Sequence, residues 1–435
     1  MTPRASGPRE PVALLRTFGR ADLIAVTINA VVGAGIFGLP SKVFALIGTF
    51  SLVAFLVCAL FAGLIVLCFA EVGSRFSGTG GPYLYVREAF GPTAGFGAGW
   101  LMWLARVSAF AANSNLLVGY AAWFYPPIAS PMGRNVFLCA VTLFLVAVNI
   151  TGVRHAARLN NLCTAGKLIP LAVLIAVGLW FVNWPQISFP VTPSWAPFSS
   201  SVLLLVYAFT GFEMAVIPGG EIRDPRRTIP VALITAIAVI AVLYILLQIV
   251  CIGVLPGLAA SQRPVADAAA RILGPTGAAF ISAGIVISIT GNLHITLLSA
   301  SRIPFAMGER AELPSWLGKA HPRFRTPHLA LLLTGCVVLA LSLSGTFVYA
   351  VTISSLARLA TYSAVAASLV ILRSQPGAPA AALRLPGGPL IPGAAILLAL
   401  WLLSNSTWRE ARDTALAAAL GFAIYFCTRL KNAVA

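Results

Sequence analysis

The sequence predicts an all-α integral membrane protein with twelve transmembrane helices. Of its 435 residues, 59% are hydrophobic and only 9% are Asp, Glu, Lys or Arg, whereas soluble domains carry about 25% charged residues. Long apolar stretches are bounded by charge, Gly or Pro, and each can hold a span of about 20 residues. They must be helical, because unpaired backbone groups are costly in hydrocarbon. The spans are expected at residues 21–47, 50–72, 92–124, 135–152, 160–183, 199–220, 229–255, 275–302, 328–344, 347–372, 389–405 and 411–428.

This composition also excludes several classes of protein. A net charge of +17 without a soluble fold or a clustered basic patch does not indicate a nucleic-acid partner. The seven cysteines are widely spaced, so we expect no disulfide framework, no metal and no cofactor. A channel would need a polar stripe and a filter, and an intramembrane enzyme would need a reactive constellation. The sequence shows neither pattern, so we expect a protein that is neither a channel nor an enzyme. Because its spans are apolar, we expect membrane lipid around it.

The basic residues predict the orientation of the chain. If the amino terminus is cytoplasmic, 20 of the 29 Lys and Arg residues fall on the cytoplasmic side. The opposite side holds only five: Arg134, Arg263, Arg271, Arg409 and Arg412. Because cytoplasmic loops are enriched in Lys and Arg, both termini are expected in the cytoplasm. Four basic residues fall inside spans: Lys42, Arg106, Lys167 and Arg358.

Two spans are interrupted at mid-membrane depth. The first contains residues 33–40, GAGIFGLP, and the sixth contains residues 209–213, FTGFE. Interruptions at corresponding positions of two halves are typical of a transporter site built from broken helices. Interruptions in the first and the sixth of twelve spans fit two repeats of five helices, followed by two more helices. The expected organisation is a tail at 1–20, a ten-helix core at 21–375, helices 11 and 12 at 376–430, and a tail at 431–435.

The motifs resemble those of the amino acid–polyamine–organocation (APC) family of permeases. GAGIFGLP is similar to the broken first helix of that family, and AFTGFEMAVIPGGEIRDPRRTIP is similar to its sixth helix and following loop. Two further segments match the family pattern: GGPYLYVREAFGPTAGFGAGW and SRIPFAMGERAELPSWLGKAHPRFRTP. The resemblance covers residues 20–375. It implies a LeuT-type fold, with two inverted five-helix repeats, that transports amino acids by alternating access.

The interrupted first span predicts a carboxylate site. Unwinding at Gly33–Gly35 would free N–H groups at the start of the second half-helix, whose end carries about +0.5 charge. By resemblance, the N–H groups of Ala34, Gly35 and Ile36 would hold the carboxylate of an amino acid. Glycine is needed because a side chain would keep the carboxylate away. The alternative is a glycine seam for tight helix packing.

The substrate ammonium needs carbonyl acceptors, which the ends of the first half-helices supply. Motif position assigns the carbonyls of Val31, Tyr207 and Thr210 to this role. Tyr207 also lies where the family places an aromatic gate over the substrate, although an aromatic in a membrane helix can simply pack. Three further polar residues are candidates for the side-chain pocket: Asn113, Asn292 and Thr296.

Charged residues inside the spans are candidates for coupling. Glu213 is the only carboxylate deep in a span, where a charge costs at least ~2.5 kcal/mol. It could carry a proton, contact a cationic substrate group or pair with a neighbouring arginine. Lys167 lies about nine residues into the fifth span, near the midplane. Some family members place a lysine there, which implies proton coupling without sodium; the alternative is a fixed structural cation.

Arginines 106 and 358 fit the family pattern less well. We expect Arg106 and Arg358 to lie near a water-filled vestibule and to stabilise the scaffold; the alternative is that either of them favours anionic substrates. His294, inside the eighth span, is expected to bond locally rather than to relay protons. In EIRDPRRTIP, Glu221 and Asp224 are expected to pair with the two arginines of an inner-gate hinge. The expected function is proton-coupled amino acid uptake, with an exchanger or exporter of the same fold as the alternative.

Overall fold

The computed structural model describes residues 19–434, except 79, 152–153, 190–191, 218, 220–221, 325 and 345–346. Of the predicted tail at 1–20, residues 1–18 therefore lie outside the described residues. Regular structure in the described ranges is helical. The α-helices are α1 Arg20–Val31, α2 Ala34–Ile47, α3 Ser51–Gly73, α4 Pro82–Phe90, α5 Pro92–Phe124, α6 Pro131–Thr151, α7 Arg154–Gly178, α8 Trp195–Ala208, α9 Pro225–Val254, α10 Pro264–Glu309, α11 His328–Ser344, α12 Phe347–Ser374, α13 Leu390–Ser404 and α14 Trp408–Val434.

The helices form a multi-pass membrane protein. Eight helical segments in the described ranges are long and apolar enough to cross a membrane, and α11 and α13 are shorter apolar helices. Large apolar side chains cover the outside of the protein; Leu60 is 63% exposed and Leu397 is 69% exposed. Such a surface suits lipid rather than water. Each expected span overlaps a helix, while the count of twelve spans stays a prediction.

Helix α4 is an addition to the elements expected from the sequence. Its nine residues, PYLYVREAF, include Arg87 and Glu88 and turn through Gly91 into α5. Because charged residues interrupt the apolar run, hydropathy alone does not distinguish this short helix from a loop. It packs against α5 and α12.

Both expected interruptions are present, but the first is shorter than predicted. Helix α1 ends at Val31 and α2 begins at Ala34, so only Val32 and Gly33 are non-helical. The prediction that unwinding extends to Gly35 is wrong, because Gly35 already lies in the first turn of α2. Helix α8 ends at Ala208, and residues 209–211 separate it from a 3-10 helix at Phe212–Ala215.

Helix packing brings the two interruptions to the centre of the protein. Helix α2 packs against α8, and α1 packs against the 3-10 helix as well as against α7 and α9. Helix α5 crosses the middle and contacts α10, α11 and α12. Polar side chains from α5, α7, α10 and α12 therefore lie near the broken segments, where backbone groups lack helical partners.

Candidate functional site

Two glycines let the broken helices touch through their backbones. A Cβ atom on Gly35 would lie 2.6 Å from the Cα of Ala208, and one on Gly211 would lie 2.4 Å from the carbonyl oxygen of Ala30. Gly211 also has a φ of +118°, which favours glycine. Any larger residue at either position would push the two breaks apart.

The start of α2 supplies the N–H groups predicted to bind a carboxylate. Ala34, Gly35 and Ile36 occupy its first turn, where backbone N–H groups have no acceptor within the helix. Gly33 precedes them in an extended conformation and has no side chain with which to cap the helix. This end carries the positive pole of the helix dipole, so its chemistry fits an anionic group.

The carbonyl oxygens predicted to bind a substrate ammonium differ in how many further hydrogen bonds they can accept. The Val31 carbonyl accepts a hydrogen bond of 3.2 Å from the hydroxyl of Tyr244, which leaves one lone pair. The Tyr207 carbonyl accepts from both the hydroxyl and the N–H of Thr210, at 2.8 and 3.3 Å. Val31 is therefore the better candidate of these two for a substrate ammonium. Tyr244, a polar group in an otherwise apolar run of α9, is a contact that the sequence analysis missed.

Tyr207 joins the end of α8 to α5. Its hydroxyl lies 2.6 Å from Oδ1 of Asn113 and 3.2 Å from the carbonyl oxygen of Ala109. Asn113 in turn donates to Oδ1 of Asn292 on α10, at 2.6 Å. The aromatic side chain predicted as a gate is thus tethered by hydrogen bonds to two of the predicted pocket residues.

Asn292 connects this network to the break in the first span. Its Nδ2 donates to the carbonyl of Ala30 at 2.9 Å, and Thr296 donates to its Oδ1 at 3.3 Å. A Cβ atom on Gly33 would lie 3.1 Å from the same Nδ2. The structure therefore places all three pocket candidates beside the break, in one polar chain.

Lys167 binds the backbone at the same break. Its Nζ donates to the carbonyl of Val32 at 2.7 Å and to that of Asn29 at 3.0 Å, and its side chain is 1% exposed. Both carbonyls belong to the end of the first half-helix, which carries partial negative charge. The ammonium from α7 thus stabilises the broken conformation of the first span. The two carbonyls were missed because they become acceptors only when the helix ends.

A buried group of charged side chains and one tyrosine lies next to the break in the sixth span. We call Glu213, Arg106, Arg358 and Tyr362 the charge cluster. Arg358 Nε donates to Glu213 Oε1 at 3.1 Å, and the Tyr362 hydroxyl donates to Oε2 at 2.8 Å. Arg106 Nη2 lies 3.6 Å from the same Oε1. Glu213 and both arginines are at most 2% exposed.

The cluster corrects the expectation for its arginines and bears on the role of Glu213. Placing Arg106 and Arg358 near a water-filled vestibule is wrong, because both are buried among helices. Glu213 Oε2 also accepts from the N–H of Gly211 at 2.9 Å, and Arg358 Nη1 donates to Thr210 Oγ1 at 2.6 Å. The carboxylate therefore pairs with arginine and fixes the break, which favours the structural alternative. Its roles in substrate binding and proton coupling stay predictions.

The remaining histidine candidate has a local partner. Nδ1 of His294 lies 3.0 Å from Nδ2 of Asn149 on α6. This contact is consistent with the expected local hydrogen bond.

The predicted hinge is held by backbone carbonyls. Arg226 donates to the carbonyls of Ser74, at 3.1 Å, and Ala380. Asp224 lies 4.0 Å from the exposed Arg227, while Glu221 lies outside the described residues. Within the described ranges, the partners of Arg226 are thus two backbone carbonyls, one directly after α3 and one in the loop between α12 and α13, and not the expected carboxylate.

An ion pair and a hydrogen bond join α4 to the segment that follows α10. Arg87 forms an ion pair with Glu312, to which the Tyr83 hydroxyl donates at 2.7 Å. Burial and, next, the hydrogen bond to Glu312 raise the pKa of Tyr83 to about 12. The hydroxyl therefore keeps its proton at neutral pH and remains a donor.

Replacing Gly35 with valine is expected to abolish amino acid binding. The new side chain would meet the backbone of Ala208 and displace the N–H groups at the start of α2. Gly63 on α3 provides the control, because a Cβ atom there meets nothing within 4 Å. Ligand-induced thermal shifts of monodisperse protein should be lost in Gly35→Val and retained in Gly63→Val. Wild-type affinity in Gly35→Val would contradict the assigned carboxylate site.

Comparisons with known proteins identify transporters and permeases that are similar to this sequence. A sequence model of the amino acid permease family matches residues 18–417. The chain is 30% identical to the serine/threonine exchanger SteT of Bacillus subtilis, over 74% of this chain and 75% of the relative. It is 28% identical to the branched-chain amino acid permease BcaP of the same organism, over 97% and 94%. The methylthioribose transporter of that organism is 26% identical, over 97% and 95%.

Proposed function

Because the chain belongs to the amino acid permease family, we propose that it carries α-amino acids across the cytoplasmic membrane by alternating access. It uses a LeuT-type core of two inverted five-helix repeats at 21–375, followed by two helices. Both termini lie in the cytoplasm in this proposal, which is supported by the distribution of basic residues along twelve predicted spans. The substrate is a small molecule, and no cofactor is required.

One observation carries this proposal: the two interrupted helices meet backbone to backbone at Gly35–Ala208 and Gly211–Ala30. The junction offers N–H groups at the start of α2 and carbonyls at the end of α1, such as that of Val31. An α-amino acid carries one carboxylate and one ammonium, so both of its invariant groups find partners there. The side chain then faces the polar chain from Tyr207 to Thr296.

Uptake is driven by protons in this proposal, through Lys167. A lysine ammonium can give up its proton when its surroundings change, and Lys167 is the proposed carrier. The two carbonyls that hold its ammonium belong to the break, so loss of the proton would loosen the substrate site. An entering proton contributes ~2.3 kcal/mol per 100 mV of membrane potential.

Amino acid exchange is the second candidate. It is favoured by the relative that is an exchanger of serine and threonine, and it requires no net proton flux. The same central junction would serve both activities, because they differ only in which loaded states reorient.

Uptake of labelled amino acids into proteoliposomes separates the two. Serine, threonine, leucine and valine are tested first, with and without an inward proton gradient and with or without unlabelled substrate inside. Gradient-stimulated uptake into empty vesicles supports symport. Uptake that ignores the gradient but requires internal substrate would replace symport by exchange. No saturable uptake of any amino acid under either condition would contradict the transport proposal.

A further inference from the structure

The charge cluster contains one more cation than its carboxylate can satisfy. Glu213 Oε1 accepts a hydrogen bond from Arg358, and Oε2 accepts from Tyr362 and from the N–H of Gly211. Arg106 reaches the same Oε1 only at 3.6 Å, which is too long for a hydrogen bond. The cluster therefore holds two guanidinium groups, one carboxylate and a net charge of +1.

Arg106 is buried without a hydrogen-bond acceptor from the described chain. Its side chain is 0% exposed, and Nε, Nη1 and Nη2 all lack a partner there. Guanidinium groups stay protonated in proteins. Burying an ion that is incompletely paired costs several kcal/mol, and charged side chains inside membrane spans almost always have a partner.

Another buried arginine, Arg75, has acceptors for both terminal nitrogens, and only its Nε lacks a partner among the described residues. Arg75 is 8% exposed, and its Nη1 donates to the carbonyls of Leu372 and Pro379 at 3.2 and 2.9 Å. Its Nη2 lies 3.4 Å from Glu71. Arg106 has no comparable carbonyl within the described residues, so the difference lies in its surroundings and not in its residue type.

The unpaired guanidinium of Arg106 lies close to the proposed amino acid site. It lies on α5, seven residues before Asn113, which corresponds to two helical turns or ~10 Å. The neighbouring Arg358 donates to Thr210 in the break of the sixth span. An ion at Arg106 would thus contact a group that is linked, through Glu213 and Arg358, to the broken backbone.

We propose that Arg106, with Arg358 beside it, forms a binding site for one small monovalent anion. A halide or a carboxylate would accept hydrogen bonds from the unpaired guanidinium nitrogens and bring the cluster to neutrality. Two sources have this chemistry: chloride from solution and the side-chain carboxylate of an acidic amino acid. The site goes beyond the proposed amino acid junction, because none of its ligands belongs to the N–H groups of α2.

The test measures anion binding to purified protein and does not depend on transport. Wild-type protein is prepared without halide in sodium HEPES, whose anion is a bulky sulfonate and not a carboxylate, and chloride is then exchanged in at constant ionic strength while the melting temperature is recorded. We expect a saturable rise of about 2 °C or more by 100 mM chloride. A second arm keeps HEPES and adds L-aspartate or L-glutamate, with L-alanine, whose side chain carries no charge, as the comparison. Radiolabelled chloride binding gives an independent readout.

Arg106→Gln should remove the anion-dependent rise. In HEPES, its melting temperature should equal or exceed that of wild type, because the variant no longer buries an unpaired charge. Arg412→Gln is the matched control: Arg412 pairs with Asp413 at 2.8 Å but is half exposed, so the chloride effect should persist. If Arg106→Gln does not fold, Arg106→Lys keeps the charge and should show a chloride titration shifted to higher concentration.

A rise with chloride identifies the inorganic ion, and a rise with the acidic amino acids alone identifies a substrate carboxylate; both require the loss in Arg106→Gln. No rise in either arm overturns the site and leaves water as the partner of Arg106. A rise that Arg106→Gln retains in full overturns it as well.

Discussion

Lys167→Ala is expected to abolish the part of amino acid uptake that a proton gradient drives. The substitution removes the only ammonium known to bind the Val32 and Asn29 carbonyls among the described residues. It also removes the proposed proton carrier. Substrate binding should survive in weakened form, because the N–H groups of α2 and the Val31 carbonyl remain.

Two measurements on the same preparation separate these effects. Proteoliposome uptake with and without a proton gradient reports coupling, and a ligand-induced thermal shift reports binding. Lys319→Ala, at an exposed position outside the spans, is the matched control and should behave as wild type in both. Gradient-driven uptake at the wild-type rate in Lys167→Ala would remove Lys167 from the coupling mechanism.

Lys167 also shows what a sequence can and cannot predict. Its depth in the fifth span follows from helical rise alone, and the interruptions follow from glycines and a carboxylate in apolar runs. Its partners do not follow, because the carbonyls of Asn29 and Val32 accept its bonds only where α1 ends. Backbone acceptors have no sequence signature, since every residue carries one.

The charge cluster was harder to predict for a different reason. Arg106 and Arg358 lie in helices far apart in the sequence, and their common contact with Glu213 depends on how three helices pack. Hydropathy predicts how deep each arginine lies in the membrane. It does not predict which neighbouring helix the side chain faces. A vestibule was therefore the natural expectation for an unpaired arginine, and burial against a shared carboxylate corrects it. Tyr362, on the same helix as Arg358, was missed because its hydroxyl carries no charge that would mark it in the sequence.

Glu213→Gln is expected to lower the free energy of unfolding by about 3 kcal/mol or more, because breaking a buried ion pair leaves an uncompensated charge. Two guanidinium groups lose their carboxylate at once. The amide of the new glutamine can still accept a hydrogen bond from Tyr362 or Gly211. The decrease in the free energy of unfolding therefore measures mainly the loss of the negative charge. Unfolding in mixed micelles by added SDS measures the difference. Asp413→Asn, which removes a carboxylate paired with the half-exposed Arg412, is the control and should cost much less.

The double variant distinguishes the roles that remain open for Glu213. Adding Arg358→Met removes one of the two unpaired cations and replaces it with an apolar side chain, so Glu213→Gln/Arg358→Met should be more stable than Glu213→Gln alone. The coupling energy of the cycle should reach about 1–3 kcal/mol. Additive losses would mean that the 3.1 Å contact of Arg358 with Glu213 contributes nothing to stability. If Glu213 instead carries the proton, Glu213→Gln should keep wild-type stability and lose gradient-driven uptake, a combination that a structural ion pair cannot produce.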